Sequence, residues 1–387
     1  MTMRLVFVNH CHPDTPHVCA TRVARMAESC ARAGHQVVLL TQTLDGHPPS
    51  LSPTQLPAAL DDHDWSRPLL VDCPPRPAPL LNAVRDGRVR RWLRLPLLAA
   101  FYGLRSGLFT DWRDGAAPYG VQLARHFRPQ CCWATFGNTD AWVLARQIAQ
   151  QSGGAWVADL KDPWRIFIPA PLRRLLAKRF APKAFTALSD QHGDEVRAWF
   201  GQPATTIYSG IDDGFLAVPP PPPAGPGKVL IIGALYDQDH LNQLTEGLRR
   251  WGQKASIIYA GSEGARLRDA LPGWDVESPG YVDLGTLRQL AAQCHVSLYV
   301  RNPRALYQHK LVELLALDRP VLCLPEEAPE SLAIAQFLGA DFRSCGNADA
   351  LVQGLAELVG RHRPVDRSRL AAYSWESQAE ILLKVLA

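Results

Sequence analysis

No stretch of the 387 residues is an unbroken apolar run of the roughly 20 residues that a membrane-crossing helix needs. No two cysteines are spaced C-x-x-C, and their number, nine, is odd. They are scattered at positions 11, 19, 30, 73, 131, 132, 294, 323 and 345, several inside apolar runs. That argues against a disulfide framework and for reduced thiols. Charge of one sign is also lacking. Lys and Arg total 41 against 37 Asp and Glu, a net charge of +4, which is too balanced for a nucleic-acid partner. No signal peptide stands ahead of the first strand-like run, residues 4–8. The expected location is the cytoplasm.

What is present describes a soluble α/β protein. Hydrophobic content is 47% and charged content 20%, ordinary values for a globular chain. The length suits two domains, each with its own core. Residues 4–8 read as a buried strand, 19–33 as a helix closed by Gly34, and 36–41 as the next strand. This β-α-β unit implies a parallel sheet. Residues 44–80 read as irregular, with a short strand at 69–71. Further strands are expected at 131–135, 155–160 and 185–189, with helices at 113–127, 141–151 and 190–200.

An unbroken proline run at 219–223 is a semi-rigid linker. A second series of strands follows, at 228–232, 255–259, 275–277, 296–300 and 321–324. The expected fold is therefore two Rossmann-like parallel domains facing across a cleft, with a ligand at the carboxyl edges of the sheets. The expected bounds are 1–216 for the first domain, 217–227 for the linker and 228–373 for the second. A last amphipathic helix is expected over 374–387.

The loop after the first strand holds Asn9, His10, Cys11, His12 and His17, with Cys19 just beyond. These are zinc-ligand types, but the spacing fits no standard zinc pattern. The loop reads as a substrate loop with no metal, and His12 or His17 is the candidate near acceptor or phosphates. Asp162 follows a strand and sits at the ligand edge. Residues 85–105 mix Arg with Trp, Leu, Phe and Tyr, and 173–180 repeat that character. Both suit an anionic membrane surface.

One stretch organises the second half: Tyr307-Gln308-His309-Lys310-Leu311-Val312-Glu313, running on to Asp318-Arg319-Pro320. Lys310 and Glu313 are one helical turn apart and share a face. Lys310 and a helix N-terminus suit phosphate, while the two oxygens of Glu313 suit a pair of sugar hydroxyls. Together they describe a socket for a ribose diphosphate.

Five segments, in order, resemble GT-B glycosyltransferases of the family 4 type. They are the 4–41 unit, Asp159-Leu160-Lys161-Asp162-Pro163-Trp164, Ile207-Tyr208-Ser209-Gly210-Ile211-Asp212, Lys310-Leu311-Val312-Glu313, and Ser374-Trp375-Glu376. The resemblance spans nearly the whole chain. It implies a retaining, metal-independent transfer from a nucleotide-sugar, UDP- or GDP-linked, to a glycan or lipid-linked acceptor in cell-surface polysaccharide synthesis. No cofactor is implied.

The resemblance implies that helix 374–387 crosses back to the first domain, and it places the donor against Glu313 and Lys310. The candidate catalytic residues are Asp162, Lys310 and His17, and the further donor-side candidates are Leu311, Gly233, Tyr236, Gly261, Tyr281, Arg301 and Tyr307. The acceptor side is assigned to His12, Asn9 and Asp140. Several family features are missing. Ala305 stands where many members have a second glutamate, and no Arg or Lys follows the strand at 228–232. Alternatives are a GT-B protein that binds nucleotide-sugar or glycan without transfer, and a sugar-nucleotide epimerase.

Overall fold

In a computed structural model the chain is described at residues 2–222, 224–225, 227–235, 237–252, 255–302, 304–308 and 310–387. It forms two compact units. Unit 1 comprises Met1–Gly210 with Trp375–Ala387, and unit 2 comprises Ile211–Ser374. Each is an α/β unit around one parallel sheet. Pro223 and Pro226 of the expected linker lie outside the described residues.

In unit 1 the strands are β1 (Arg4–Val8), β2 (Gln36–Gln42), β3 (Leu69–Cys73), β4 (Cys131–Thr135), β5 (Ala155–Leu160), β6 (Ala184–Ala187) and β7 (Ala204–Thr206). Their spatial order is β3-β2-β1-β4-β5-β6-β7. Side chains alternate between the faces of a strand, and both faces here are apolar. Leu5, Phe7, Val37, Leu39, Trp133 and Val157 face one side, packed with helix Val18–Arg32 and the C-terminal helix Trp375–Leu386. Val6, Val8, Val38, Leu40, Ala134 and Ala158 face the other, toward helices that include Thr139–Ser152. Trp142 stacks on Trp164 there, with centroids 5.8 Å apart, and its indole N–H donates to the Ala134 carbonyl at 2.9 Å.

In unit 2 the strands are β8 (Lys228–Ile232), β9 (Ser256–Ala260), β10 (Val276–Glu277), β11 (Val296–Val300), β12 (Val321–Leu324) and β13 (Phe342–Ser344). Their order is β10-β9-β8-β11-β12-β13. The strand order reverses direction between β1 and β4 in unit 1, and between β8 and β11 in unit 2. Such switch points open a crevice at the carboxyl ends of the strands.

Several local expectations change. Residues 44–80 are not irregular throughout: Leu56–Asp62 is a helix whose Leu56 and Leu60 are buried. The helix expected at 113–127 begins earlier, at Thr110, and widens into a π-helical turn over Leu123–Phe127. Strand β13 was not legible, because three half-buried residues carry too little pattern.

Candidate functional site

In unit 2 the carboxyl ends of β8 and β11 meet the N-terminus of helix Lys310–Leu315. Tyr299 of β11 pairs in register with Ile232 of β8. Lys310 lies over this pair. Its Nζ is 4.9 Å from the Tyr299 ring centroid and donates to the Ile232 carbonyl at 3.4 Å. Burial pushes this ammonium down to about 8.

Gly233 follows β8 with φ of +91°, a backbone setting that glycine adopts cheaply. A Cβ there would overlap Lys310 Nζ. Gly261 packs as closely after β9, where an added Cβ would stand 2.6 Å from the Gly233 carbonyl oxygen. The Tyr259 hydroxyl donates to that oxygen at 2.8 Å.

Glu313 is half-buried, on the same short helix as Lys310. Its carboxyl has no hydrogen-bond or ion-pair partner among the described residues. Burial pushes it up to about 7, Asp212 adds to the shift, and Lys310 opposes it. A carboxylate with open lone pairs, near a cation held at a switch point, can accept from two hydroxyls.

Other expected donor contacts fare differently. The three nitrogens of the Arg301 guanidinium face protein groups. Nη1 donates to the Glu326 carbonyl at 2.8 Å, Nη2 donates to the Ala305 carbonyl at 3.2 Å, and Nε lies 3.4 Å from the Glu327 carboxylate. Arg301 therefore staples its loop and does not stand ready for phosphate. The Leu311 N–H is spent on the Gln308 carbonyl at 3.0 Å, and its side chain is in the core. Tyr307 is buried, while Tyr281 is 86% exposed. Tyr236 lies outside the described residues. Glu327, unremarked in the sequence, is buried and accepts from the Tyr299 hydroxyl at 2.8 Å.

A cavity of about 420 Å³ in unit 2 is lined by Lys228, Ser256, Trp274 and Asp275. It lies at the amino ends of β8 and β9, the edge away from Lys310.

In unit 1 the loop after β1 lies at the switch point with the segment after β4. Asn9 is buried. Its Nδ2 donates to the Cys19 carbonyl at 3.3 Å, and its Oδ1 accepts from Cys19 Sγ at 3.4 Å. His12 is also buried, with Nδ1 accepting from Asp14 N at 3.2 Å. Both brace the loop. His17 is exposed and caps helix Val18–Arg32, its Nδ1 accepting from Cys19 N at 3.2 Å.

Asp140 corrects an expectation. It is fully buried, 2.9 Å from Arg113 Nη1, and accepts from Phe109 N at 2.7 Å. A Cβ on Gly107 would overlap its carboxyl. No acceptor reaches it without displacing that loop. Burial pushes its carboxyl up to about 6, with Arg113 and the Phe109 N–H pulling the other way.

Asp162 is half-buried, 3.0 Å from Lys161 Nζ. The residue missed here is His10. A Cβ on Gly137 would lie 3.2 Å from His10 Cε1 and 3.8 Å from Asp162 Oδ2, so the two side chains flank the same glycine. Beneath them Arg22 and Asp159 form a fully buried ion pair at 3.1 Å, with Thr186 also donating to Asp159 at 2.8 Å.

No family model matches the sequence, and no curated protein matches it. Solved structures do. The lipopolysaccharide outer core galactosyltransferase WaaB in its apo form is similar at 11% identity and a TM-score of 0.62, covering 99% of each chain. Anabaena HepE in complex with UDP and glucose is similar at 14% identity and a TM-score of 0.58, covering 98% of this chain and 94% of its own. A putative UDP-N-acetylglucosamine 2-epimerase from Listeria monocytogenes gives 11% identity and a TM-score of 0.58, covering 99% and 95%. At these identities the likeness establishes the fold alone: two Rossmann-like α/β domains, as in GT-B proteins.

Proposed function

We propose that the protein is a glycosyltransferase that takes a sugar from a UDP- or GDP-sugar. The carrying observation is Glu313, whose open carboxyl stands one turn from Lys310. Glu313 binds the donor ribose and Lys310 faces the diphosphate. A cation already in place stabilises the leaving group as its charge develops, with no reorganisation at the moment of reaction. Gly233 leaves room for the Lys310 ammonium, and Gly261 for the Tyr259 hydroxyl that holds the Gly233 carbonyl. The transfer is retaining, and needs no divalent ion at the diphosphate. Asp162 and His17, at the carboxyl edge of unit 1, are the groups that act on the acceptor side.

The acceptor is a lipid-linked or surface glycan met at an anionic membrane. No helix among the described residues is long and apolar enough to cross a membrane, and the reading is of a peripheral contact through two exposed patches. Helix Arg91–Ala100 has no buried residue. Trp92 and Leu95 are each 68% exposed and Leu104 is 84% exposed, among the exposed Arg90, Arg91 and Arg94. The second patch exposes Ile166, Phe167 and Leu175 beside Arg174 and Lys178. Arg179 joins the two, donating from Nη1 to the Gly103 carbonyl at 2.7 Å and to Ser106 Oγ at 3.1 Å. Apolar tips within a basic face suit an anionic bilayer interface.

A second reading is a GT-B protein that binds the nucleotide-sugar without transferring it. The loop contacts of Arg301 favour it, since they hold that guanidinium against Glu326, Ala305 and Glu327 and leave Lys310 to face the diphosphate. Nucleotide release from a panel of UDP- and GDP-sugars, with and without membrane extract, separates the two. Release with one donor supports transfer. Donor binding without release under every condition supports the second reading.

A further inference from the structure

The loop after β1 gathers sulfur and imidazole more densely than bracing the loop requires. One ligand atom from each of Cys11, His17 and Cys19 can be chosen so that all three lie within 4.8 Å of one another. Cys11 Sγ is 3.9 Å from His17 Nδ1 and 3.5 Å from His10 Nε2. Zn–S bonds of about 2.3 Å and Zn–N bonds of about 2.0 Å place tetrahedral ligand atoms roughly 3.5–3.8 Å apart. The cluster is therefore close to ligand spacing before any ion enters.

We infer that Cys11, Cys19 and His17 form a binding site for one thiophilic divalent ion of the zinc class, with the fourth position open to water.

Three protein ligands with one open position is a known zinc arrangement, and thiolate with imidazole selects zinc over magnesium or calcium. The ligands differ in access in a useful way. Cys19 is buried, Cys11 half-buried and His17 exposed, which leaves an entry path from solvent. His17 Nδ1 is the nitrogen 3.9 Å from Cys11 Sγ, and the ion takes it in place of the Cys19 N–H. Asn9 Oδ1, which accepts from Cys19 Sγ, supplies an outer contact that orients this sulfur.

Binding places two thiolates and a neutral imidazole on a dication, with the thiol protons released to solvent, and makes the site electrically neutral. No oxidant or reductant takes part. All three ligands belong to unit 1, and the inference does not depend on the donor reading in unit 2.

Cobalt(II) is the probe. The full reduced chain, freed of metal, is titrated and followed by absorbance. The expected result is a thiolate-to-cobalt charge-transfer band that saturates at one equivalent and is bleached by zinc. Cys11→Ser and His17→Asn should each weaken binding at least tenfold. Asn keeps a cap on helix Val18–Arg32 while removing the imidazole. Circular dichroism checks that each variant is folded. Absence of the band in the folded wild-type chain overturns the site, and so does a band that Cys11→Ser leaves unchanged.

Discussion

The ammonium of Lys310 occupies the space that a side chain on Gly233 would take. The two residues are far apart in sequence and meet at the β8–β11 switch point, where Lys310 also faces Tyr299. Gly233 is thus the condition for where Lys310 points. Gly233→Ala must displace the ammonium and strain a backbone at φ +91°. The expected cost is about 1–2 kcal/mol of stability with a clear loss of nucleotide affinity. Thermal unfolding and calorimetric titration read the two effects separately. Unchanged affinity would show that Lys310 does not need its present position.

Nucleotide binding should be bell-shaped in pH. Glu313 sits at about 7 and must be ionised to accept from ribose hydroxyls, so affinity rises as pH passes 7. Lys310 sits at about 8 and must be protonated to attract diphosphate, so affinity falls as pH passes 8. The two groups interact, and the limbs belong to the pair. Glu313→Gln should flatten the acid limb and Lys310→Met the alkaline limb. A profile flat from pH 6 to about 9, beyond both limbs, removes these residues from the site.

Arg22 and Asp159 are both fully buried, and each is the other's charge partner. Arg22→Met leaves a buried carboxylate supported by Thr186 alone. Breaking one side of a buried pair costs about 3–5 kcal/mol. Adding Asp159→Asn should recover part of that loss. A single variant as stable as wild type in urea unfolding would mean that the pair carries no net energy.

Flotation with vesicles containing anionic lipid tests the membrane face. The wild-type chain should float with anionic vesicles, less so at high salt, and not with neutral ones. Trp92→Ser with Leu95→Ser should abolish flotation without changing the melting temperature, because neither side chain is buried. If wild type stays at the bottom with every vesicle, the Arg clusters are merely solvated faces.

The fold was legible where strands are apolar on both faces, as in Leu5-Val6-Phe7-Val8 and Val37-Val38-Leu39-Leu40, because two buried faces leave a continuous hydrophobic run. Strand β13 and helix Leu56–Asp62 were not, being short and half-polar. That Lys310 and Glu313 share one short helix was legible because their relation is local, one turn apart. The fates of Arg301 and Asp140 were not. Arg301 donates to the Glu326 carbonyl, 25 residues on, and lies beside the Glu327 carboxylate, while Asp140 is closed in by Phe109 and Arg113. Spacing in sequence carries no trace of such partners. The thiol and imidazole loop was visible as composition, but its clustering comes from the way Asn9 and His17 fold it back on Cys19.

The most direct test of the donor site is calorimetric titration of UDP and GDP into wild type, Glu313→Ala and Lys310→Met. One of the two nucleotides should bind wild type, with affinity falling at least tenfold in each variant while the fold is kept. Equal affinity in wild type and Glu313→Ala would contradict the account, because the ribose would then be held elsewhere.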